Sequence, residues 1–330
     1  MFSKLYKHSS VRNILVITLS NIGDAVLTAP VIDILLRDFP SAQLSVVAGA
    51  KAAPLFEGNP RISRIHVFDK QRNALTQAQW TLGLRAYRYD AVVDLRNSMI
   101  GYFLLAKWMT PPDLSVYKTL HLRQRHLNRL RSLYDFGPGE APMLAMVPSK
   151  EDELFVDQLL RPFLKGGAPF VIVGASAGDS AKTWPDKEFV HLNKAIISKY
   201  AFKIVMVGSR QDRQTIESIG NQVGEEVLNL AGRTSLTQLI ALFKRTKMAV
   251  VHDSGPMHIA SYVNKPLVAL FGPTDPDYYG PWSYVYKVVR RNGRCPRCLD
   301  PKTPLTHNCM SAITQQDVLE SFKEVYEQIR

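Results

Sequence analysis

Short apolar runs alternate with segments of helical period along almost the whole chain, and this alternation constrains the fold more than any other feature. Residues 13–19 (NILVITL) form a nearly continuous apolar run, as a strand buried on both faces requires. Residues 24–39 follow with Val26, Leu27, Val31, Ile34 and Leu35 at helical spacing, and Pro40 ends them. Further strands are expected at 43–48, 62–68 and 91–95, with helices near 51–57, 73–87 and 98–109. Residues 136–148 (FGPGEAPMLAMVP) break the pattern with two glycines and three prolines, as a linker does. The alternation then restarts. Strands are expected at 170–173, 203–207, 227–230, 248–251 and 267–271. Helices are expected near 149–164, 186–199, 212–223, 235–246, 256–263 and 314–329. A strand–helix repeat of this kind implies an α/β chain of parallel sheets covered by helices.

Length and composition agree with two such units. The chain has 330 residues, 46% of them hydrophobic and 21% charged, which excludes a disordered or collagen-like polymer. The expected domains are 1–145 and 146–330, with the 314–329 helix free to return to the first, and ligands bind such sheets at the carboxyl ends of their strands, in a cleft between the two. Lys and Arg exceed Asp and Glu by 41 − 29 = 12, a charge excess that speaks of partners and not of fold. Nucleic acid, an anionic membrane surface and a phosphorylated substrate each suit it. The first of these lacks support, since no nucleic-acid-binding motif or basic stretch interleaved with aromatics occurs. Lys4, Lys7 and Arg12 precede an apolar run of only 14–19, too short for a secretory signal. No stretch approaches the roughly 20 apolar residues of a membrane span. A cytoplasmic chain is therefore expected.

Four loops, each after an expected strand, carry residues suited to chemistry. Ser20-Asn21-Ile22-Gly23-Asp24 puts a carboxylate at a helix start, where the helix N-terminus stabilises the anion. Asp24 is either a first-turn acid of the helix or a general base. In residues 174–185 (GASAGDSAKTWP) small residues allow backbone N–H groups to approach a phosphate, and Lys182 adds a point charge. In residues 251–258 (VHDSGPMH), Ser254 and Gly255 open a helix and suit a pyrophosphate. Asp253 would repel phosphate, so it orients backbone or meets sugar hydroxyls. His258 either faces the phosphate or sits in the core. In residues 208–213 (GSRQDR), Asp212 is either a helix-start acid or a ribose ligand.

Taken together, residues 22–40 (IGDAVLTAPVIDILLRDFP), 174–185, 228–243 (LNLAGRTSLTQLIALF), 250–276 (VVHDSGPMHIASYVNKPLVALFGPTDP) and 309–322 (CMSAITQQDVLESF) resemble glycosyltransferase family 9, the ADP-heptose:lipopolysaccharide heptosyltransferases. The resemblance implies a GT-B fold, two Rossmann-like domains with the acceptor in the first and the nucleotide sugar in the second. It implies inverting heptose transfer to Kdo or heptose of the lipopolysaccharide inner core, with no catalytic metal and no required cofactor. Another nucleotide sugar, such as a UDP-hexose, is the alternative donor. By position, Asp24 matches the general base and Lys182 the lysine at the donor phosphates. Asp253, Ser254, Gly255, Pro256 and His258 match the pyrophosphate loop. Pro256 donates no N–H there. Asp212 stands where many members have the longer Glu. The implied location is cytoplasmic, at the inner face of the inner membrane, against anionic lipid.

Two features remain. Arg123, Arg125, Arg129 and Arg131 form either a solvated helix face or a site for a phosphorylated, lipid-linked saccharide acceptor. Cys295, Cys298, His307 and Cys309 are soft ligands compatible with a structural zinc or iron, although no second C-x-x-C completes a familiar pattern.

Overall fold

A computed structural model describes residues 11–98, 100–113, 119–137, 142–176, 178, 180–290 and 309–330. The chain divides into two compact units, Met1–Ser149 and Lys150–Arg330.

In the first unit, β1 (Asn13–Ile17), β2 (Gln43–Gly49), β3 (Ile62–Phe68), β4 (Ala91–Asp94) and β5 (Trp108–Met109) form a parallel sheet. Its order is β3-β2-β1-β4-β5. Helix α1 (Ile22–Asp38) follows β1 and is buried from Ala25 to Leu36, as its largely apolar sequence demands. Helices α2 (Ala74–Gly83), α3 (Ile100–Phe103) and α4 (Leu122–Arg131) complete the layers. Leu15, Ile17, Val47 and Val92 point to one side, where Leu84, Tyr89, Ile100 and Leu104 cover them. Each such side chain removed from water contributes roughly 1.5–3 kcal/mol.

The helix expected over 98–109 is shorter than its pattern suggests. One turn, α3, is followed by Leu105 in a left-handed conformation (φ 55°), and the chain then runs back along β4 as the edge strand β5. The expected 51–57 helix is a 3-10 turn, Ala53–Leu55. The 73–87 helix divides into α2 and a 3-10 turn, Leu84–Tyr87.

The second unit holds α5 (Lys150–Leu160), β6 (Phe170–Gly174), α6 (Asp186–Tyr200), β7 (Lys203–Val207), α7 (Arg213–Val223), β8 (Val227–Asn229), α8 (Leu236–Arg245), β9 (Met248–His252), α9 (Gly255–Tyr262), β10 (Leu267–Leu270), α10 (Pro276–Tyr279), β11 (Tyr286–Val289) and α11 (Gln315–Glu327). The sheet order is β11-β10-β9-β6-β7-β8, all parallel. The terminal helix α11, expected to be able to return to the first unit, places Val318, Leu319, Phe322 and Val325 in the core of the second. Strand β11 is an edge strand of four residues, and its YKVV sequence is too short and mixed to stand out beforehand.

Both sheets have the doubly wound order, in which the winding reverses beside the first strand. The reversal lies between β1 and β4 in the first unit and between β6 and β9 in the second. Loops leaving the carboxyl ends of two such strands diverge, and ligands of this architecture bind there.

Candidate active site

In the second unit, the loops after β6 and β9 meet at the reversal point. Lys182 ends a 3-10 turn (Ser180–Lys182) on the first loop, and Asp253 follows β9 on the second. The Lys182 ammonium donates to Asp253 Oδ2 at 2.7 Å. The Thr274 hydroxyl donates to the same oxygen at 2.6 Å. Asp253 is buried and Lys182 is 23% exposed at its side chain, so the cation reaches solvent while its anchor does not. The charge expected to repel phosphate thus holds the lysine instead.

Neighbouring residues hold the same turn. The buried His252 Nε2 accepts the backbone N–H of Trp184 at 3.0 Å. The Trp184 indole N–H donates to the Ile313 carbonyl at 2.9 Å. The Phe189 ring meets both Trp184 and His252 edge to face. Burial pushes the His252 pKa down to about 4, against the opposing influence of the Ser176 backbone and the Asp253 carboxylate. An acceptor Nε2 and a depressed pKa both describe a neutral imidazole. Gly272 lets the turn approach, because a Cβ there would lie 3.0 Å from Met310 Sδ and 3.1 Å from the Ala181 carbonyl oxygen. The FGPT stretch therefore has a mechanical reading: glycine for close approach, threonine for Asp253.

Ser254 is the N-cap of α9, in extended conformation. The Met257 and His258 N–H groups turn back to the Ser254 carbonyl, at 3.1 and 3.4 Å. Pro256 has no N–H, so Gly255 carries the remaining donor of this first turn. His258 is buried, its ring stacked on Trp282 at 5.8 Å. Its Nε2 lies 3.9 Å from Asp253 Oδ1, beyond hydrogen-bond reach. Asp212 closes a capping box: its Oδ2 accepts the Ser209 N–H at 2.7 Å and the Ser209 hydroxyl at 2.5 Å.

In the first unit, Asp24 lies in the first turn of α1, after β1. Asn21, the N-cap residue, spends its side-chain amide on Asp24 Oδ2 at 3.0 Å instead of capping the helix. From the loop after β4, Arg96 reaches across the reversal point to the Ser20 hydroxyl at 3.4 Å. Its guanidinium stacks 4.2 Å from the Phe68 ring centroid. Asp94, at the end of β4, accepts the Arg96 and Ser98 N–H groups and the Ser98 hydroxyl. Burial raises its pKa above the usual carboxyl range, against the Ser98 hydroxyl, the two backbone donors and the Arg129 charge. Arg129 donates to the Asp94 carbonyl at 2.8 Å and to Asn97 at 3.2 Å. Burial lowers the pKa of both Arg96 and Arg129, with Asp94 opposing.

The basic run is the helix α4, whose buried face is Leu122, His126, Leu127 and Leu130. Arg125 pairs with Asp113 at 3.6 Å. Arg131 stacks 4.6 Å from the Phe136 ring centroid, and Arg123 is half-buried. Sequence reasoning overlooked Arg96, His252 and Thr274. His252 ends β9, while Arg96 and Thr274 follow β4 and β10 by a few residues, and this position at a strand's carboxyl end is the signal that could have found them.

Among the described residues, no three His, Cys, Asp or Glu side chains gather as metal ligands would. Cys309 is buried on a 3-10 turn, Cys309–Ala312, while Cys295, Cys298 and His307 lie outside the described residues. Among the described residues, no helix is long and apolar enough to cross a membrane.

A family model for glycosyltransferase family 9 (heptosyltransferase) matches residues 123–308, more than half of the chain. The chain belongs to this family. Lipooligosaccharide heptosyltransferase 2 of Haemophilus influenzae is 27% identical over 308 residues, covering 84% of this chain and 88% of that relative. A glycosyltransferase family 9 structure from Veillonella parvula superposes with a TM-score of 0.79 at 20% identity, covering 98% of this chain and all of that one. The structure of the Escherichia coli ADP-heptose lipopolysaccharide heptosyltransferase II gives a TM-score of 0.73 at 25% identity, covering 96% and 99%. The family 9 protein is thus a glycosyltransferase of GT-B fold, its doubly wound sheets those of its structural neighbours.

Proposed function

We propose that this glycosyltransferase moves a heptose from ADP-heptose to a hydroxyl of the lipopolysaccharide inner core, on Kdo or heptose, with inversion and without a catalytic metal. The observation that carries this reading is the anchored Lys182 beside the start of α9, a cation and a helix N-terminus together at the reversal point of a doubly wound sheet. That arrangement suits a nucleoside diphosphate. The names of the Haemophilus and Escherichia relatives support heptose as the sugar and ADP as its carrier.

The step is one displacement. An acceptor hydroxyl oxygen bonds to the anomeric carbon as the bond from that carbon to ADP breaks, its electron pair leaving with ADP. Asp24 accepts the hydroxyl proton. Lys182, the Gly255 N–H and the α9 dipole stabilise the departing diphosphate. Asp253 positions Lys182; Ser254, Pro256 and His258 shape the loop, and Asp212 shapes the turn after β7 through its capping box. Arg96 and Arg129, with Arg123, Arg125 and Arg131 nearby on α4, meet anionic groups of the lipid-linked acceptor. The enzyme works at an anionic membrane surface and needs no nucleic acid.

Thermal-shift measurements with ADP-heptose, ADP and UDP test the donor. Stabilisation by the first two and not by UDP is expected. Stabilisation by UDP alone would overturn the reading in favour of another nucleotide sugar, such as a UDP-hexose.

A further inference from the structure

Helix α2 has a composition that packing does not explain. From 73 to 84 the chain carries no charged residue. Within α2 only Thr81 is fully buried, and Trp80 turns its ring onto Phe68 at 5.5 Å. Leu75 and Leu82 are seven residues apart and share a helix face, yet they are 70% and 46% exposed. Phe103 and Leu105, at the end of α3, are 50% and 76% exposed. The two segments form one surface: Arg85 Nε donates to the Phe103 carbonyl, and Leu84, Ile100 and Leu104 share the core beneath. Exposed apolar side chains gathered in this way mark an interaction site, unlike leucines scattered singly.

The rim of this surface carries an excess of positive charge. Lys70 and Arg72 precede α2, Arg85 and Arg88 follow it, and Lys107 lies beyond Leu105, all exposed. One exposed acid, Asp69, pairs with Arg72 of the rim at 3.7 Å and leaves Lys70, Arg85, Arg88 and Lys107 in excess. Asp90 accepts the backbone N–H groups of Arg12 and Asn13, and Asp94 is buried. An apolar face within a cationic rim complements the boundary between headgroups and acyl chains of an anionic bilayer.

We infer that the outer face of α2, with the turn after α3, is the surface by which this enzyme docks on an anionic lipid bilayer. Its placement gives the docking a purpose, which rests on the reading of a lipid-linked acceptor. Helix α2 begins just after Phe68, at the carboxyl edge of the first sheet. Phe68 carries the Arg96 guanidinium, and Arg96 bonds Ser20 in the loop that leads to Asp24. The N-terminal end of α2, with Leu75, lies at the carboxyl edge that presents the base, and the patch runs from there across the sheet towards Leu82 and Leu105, ahead of β4 and β5.

The test is co-sedimentation of the full chain with vesicles of phosphatidylglycerol and phosphatidylethanolamine, against phosphatidylcholine alone. Binding to the anionic vesicles is expected, weakened by added salt, and reduced roughly tenfold or more in Leu75→Asp/Leu82→Asp. Lys70→Glu/Lys107→Glu should weaken it through charge alone. Both variants should keep the wild-type thermal shift with ADP, which reports folding and the donor site separately from docking. Equal vesicle binding by the leucine variant, or none by the wild type, would overturn the inference. So would a wild-type dimer dissociated by the leucine variant without vesicle binding, since it would assign the face to a second copy.

Discussion

The Lys182 ammonium is held 2.7 Å from Oδ2 of the more deeply buried Asp253. A buried carboxylate that loses its cation costs more than the pair itself contributes. Lys182→Ala strands Asp253, whose Oδ2 still accepts the Thr274 hydroxyl. Adding Asp253→Asn removes the stranded charge while leaving an oxygen for Thr274. The double variant is therefore expected to be more stable than Lys182→Ala alone, by about 1–3 kcal/mol in denaturant unfolding. ADP affinity should stay low in both, because the cation is gone from both.

Gly272 gives a second handle on the same turn. A methyl group at this position meets Met310, which is fully buried, and the Ala181 carbonyl, which belongs to the turn that carries Lys182. Gly272→Ala should cost about 1–3 kcal/mol of stability through overpacking. It should also weaken ADP binding several-fold in calorimetry, although residue 272 lies ninety positions from Lys182. An unchanged affinity would show that the turn yields without moving the lysine.

Asp212 has two tasks to choose between, and its geometry points to one. Both Ser209 donors end on a single oxygen, which closes the capping box. Asp212→Ala is expected to lower stability by about 1 kcal/mol. Its effect on ADP affinity should be smaller than that of Lys182→Ala. A loss of affinity equal to that of the lysine variant would restore the ribose contact as its main role.

The parts of this fold that were legible share one property: their pattern is local. Strand β7 is visible in Lys203–Val207 because its four buried residues in a row, from Ile204 to Val207, have to be apolar if both faces are covered. Edge strands escape this logic. Trp108–Met109 is a strand only because β4 lies beside it, and the left-handed turn at Leu105 that brings it there has no glycine to announce it. The candidate site divides in the same way. Lys182 and Asp253 stand in loops of recognisable composition, but their bond joins positions 71 residues apart. Nothing near Asp253 in sequence says that its partner is a lysine instead of a sugar. Arg96 was invisible for a related reason. Its importance comes from lying beside β1 in space, a consequence of the strand order and not of its neighbours in the chain.

Acid should loosen the second unit through His252. Its pKa is depressed from an ordinary value of 6.5 to about 4, chiefly by burial. The unfolded chain therefore takes up this proton first, so stability is complete above about pH 6.5 and falls as the pH drops towards 4. His126, buried in α4 and depressed to about 3, acts in the same direction in the first unit. Melting temperature followed from pH 7.5 to 4 should fall continuously. His252→Gln keeps an acceptor for the Trp184 N–H but does not titrate, and it should flatten the profile. A slope identical to wild type would remove His252 from the account.

Asp24 is the base on which the proposed chemistry depends, and its surroundings allow a sharp test. The carboxylate receives the Asn21 amide on Oδ2 and sits in the first turn of α1, in a different unit from Lys182. Asp24→Asn keeps the size and the helix start but cannot accept a proton. Turnover with ADP-heptose should fall by about 10²–10⁴-fold, the usual weight of a positioned general base. The thermal shift with ADP should be unaltered, because the proposed diphosphate site belongs to the other unit. Asn21→Ala removes only the bond that orients the carboxylate, so a smaller loss is expected, in kcat and with acceptor KM little changed. If Asp24→Asn retained most of its activity while ADP still bound, the proton would have to leave by another group, and the role assigned to α1 in the reaction would be wrong.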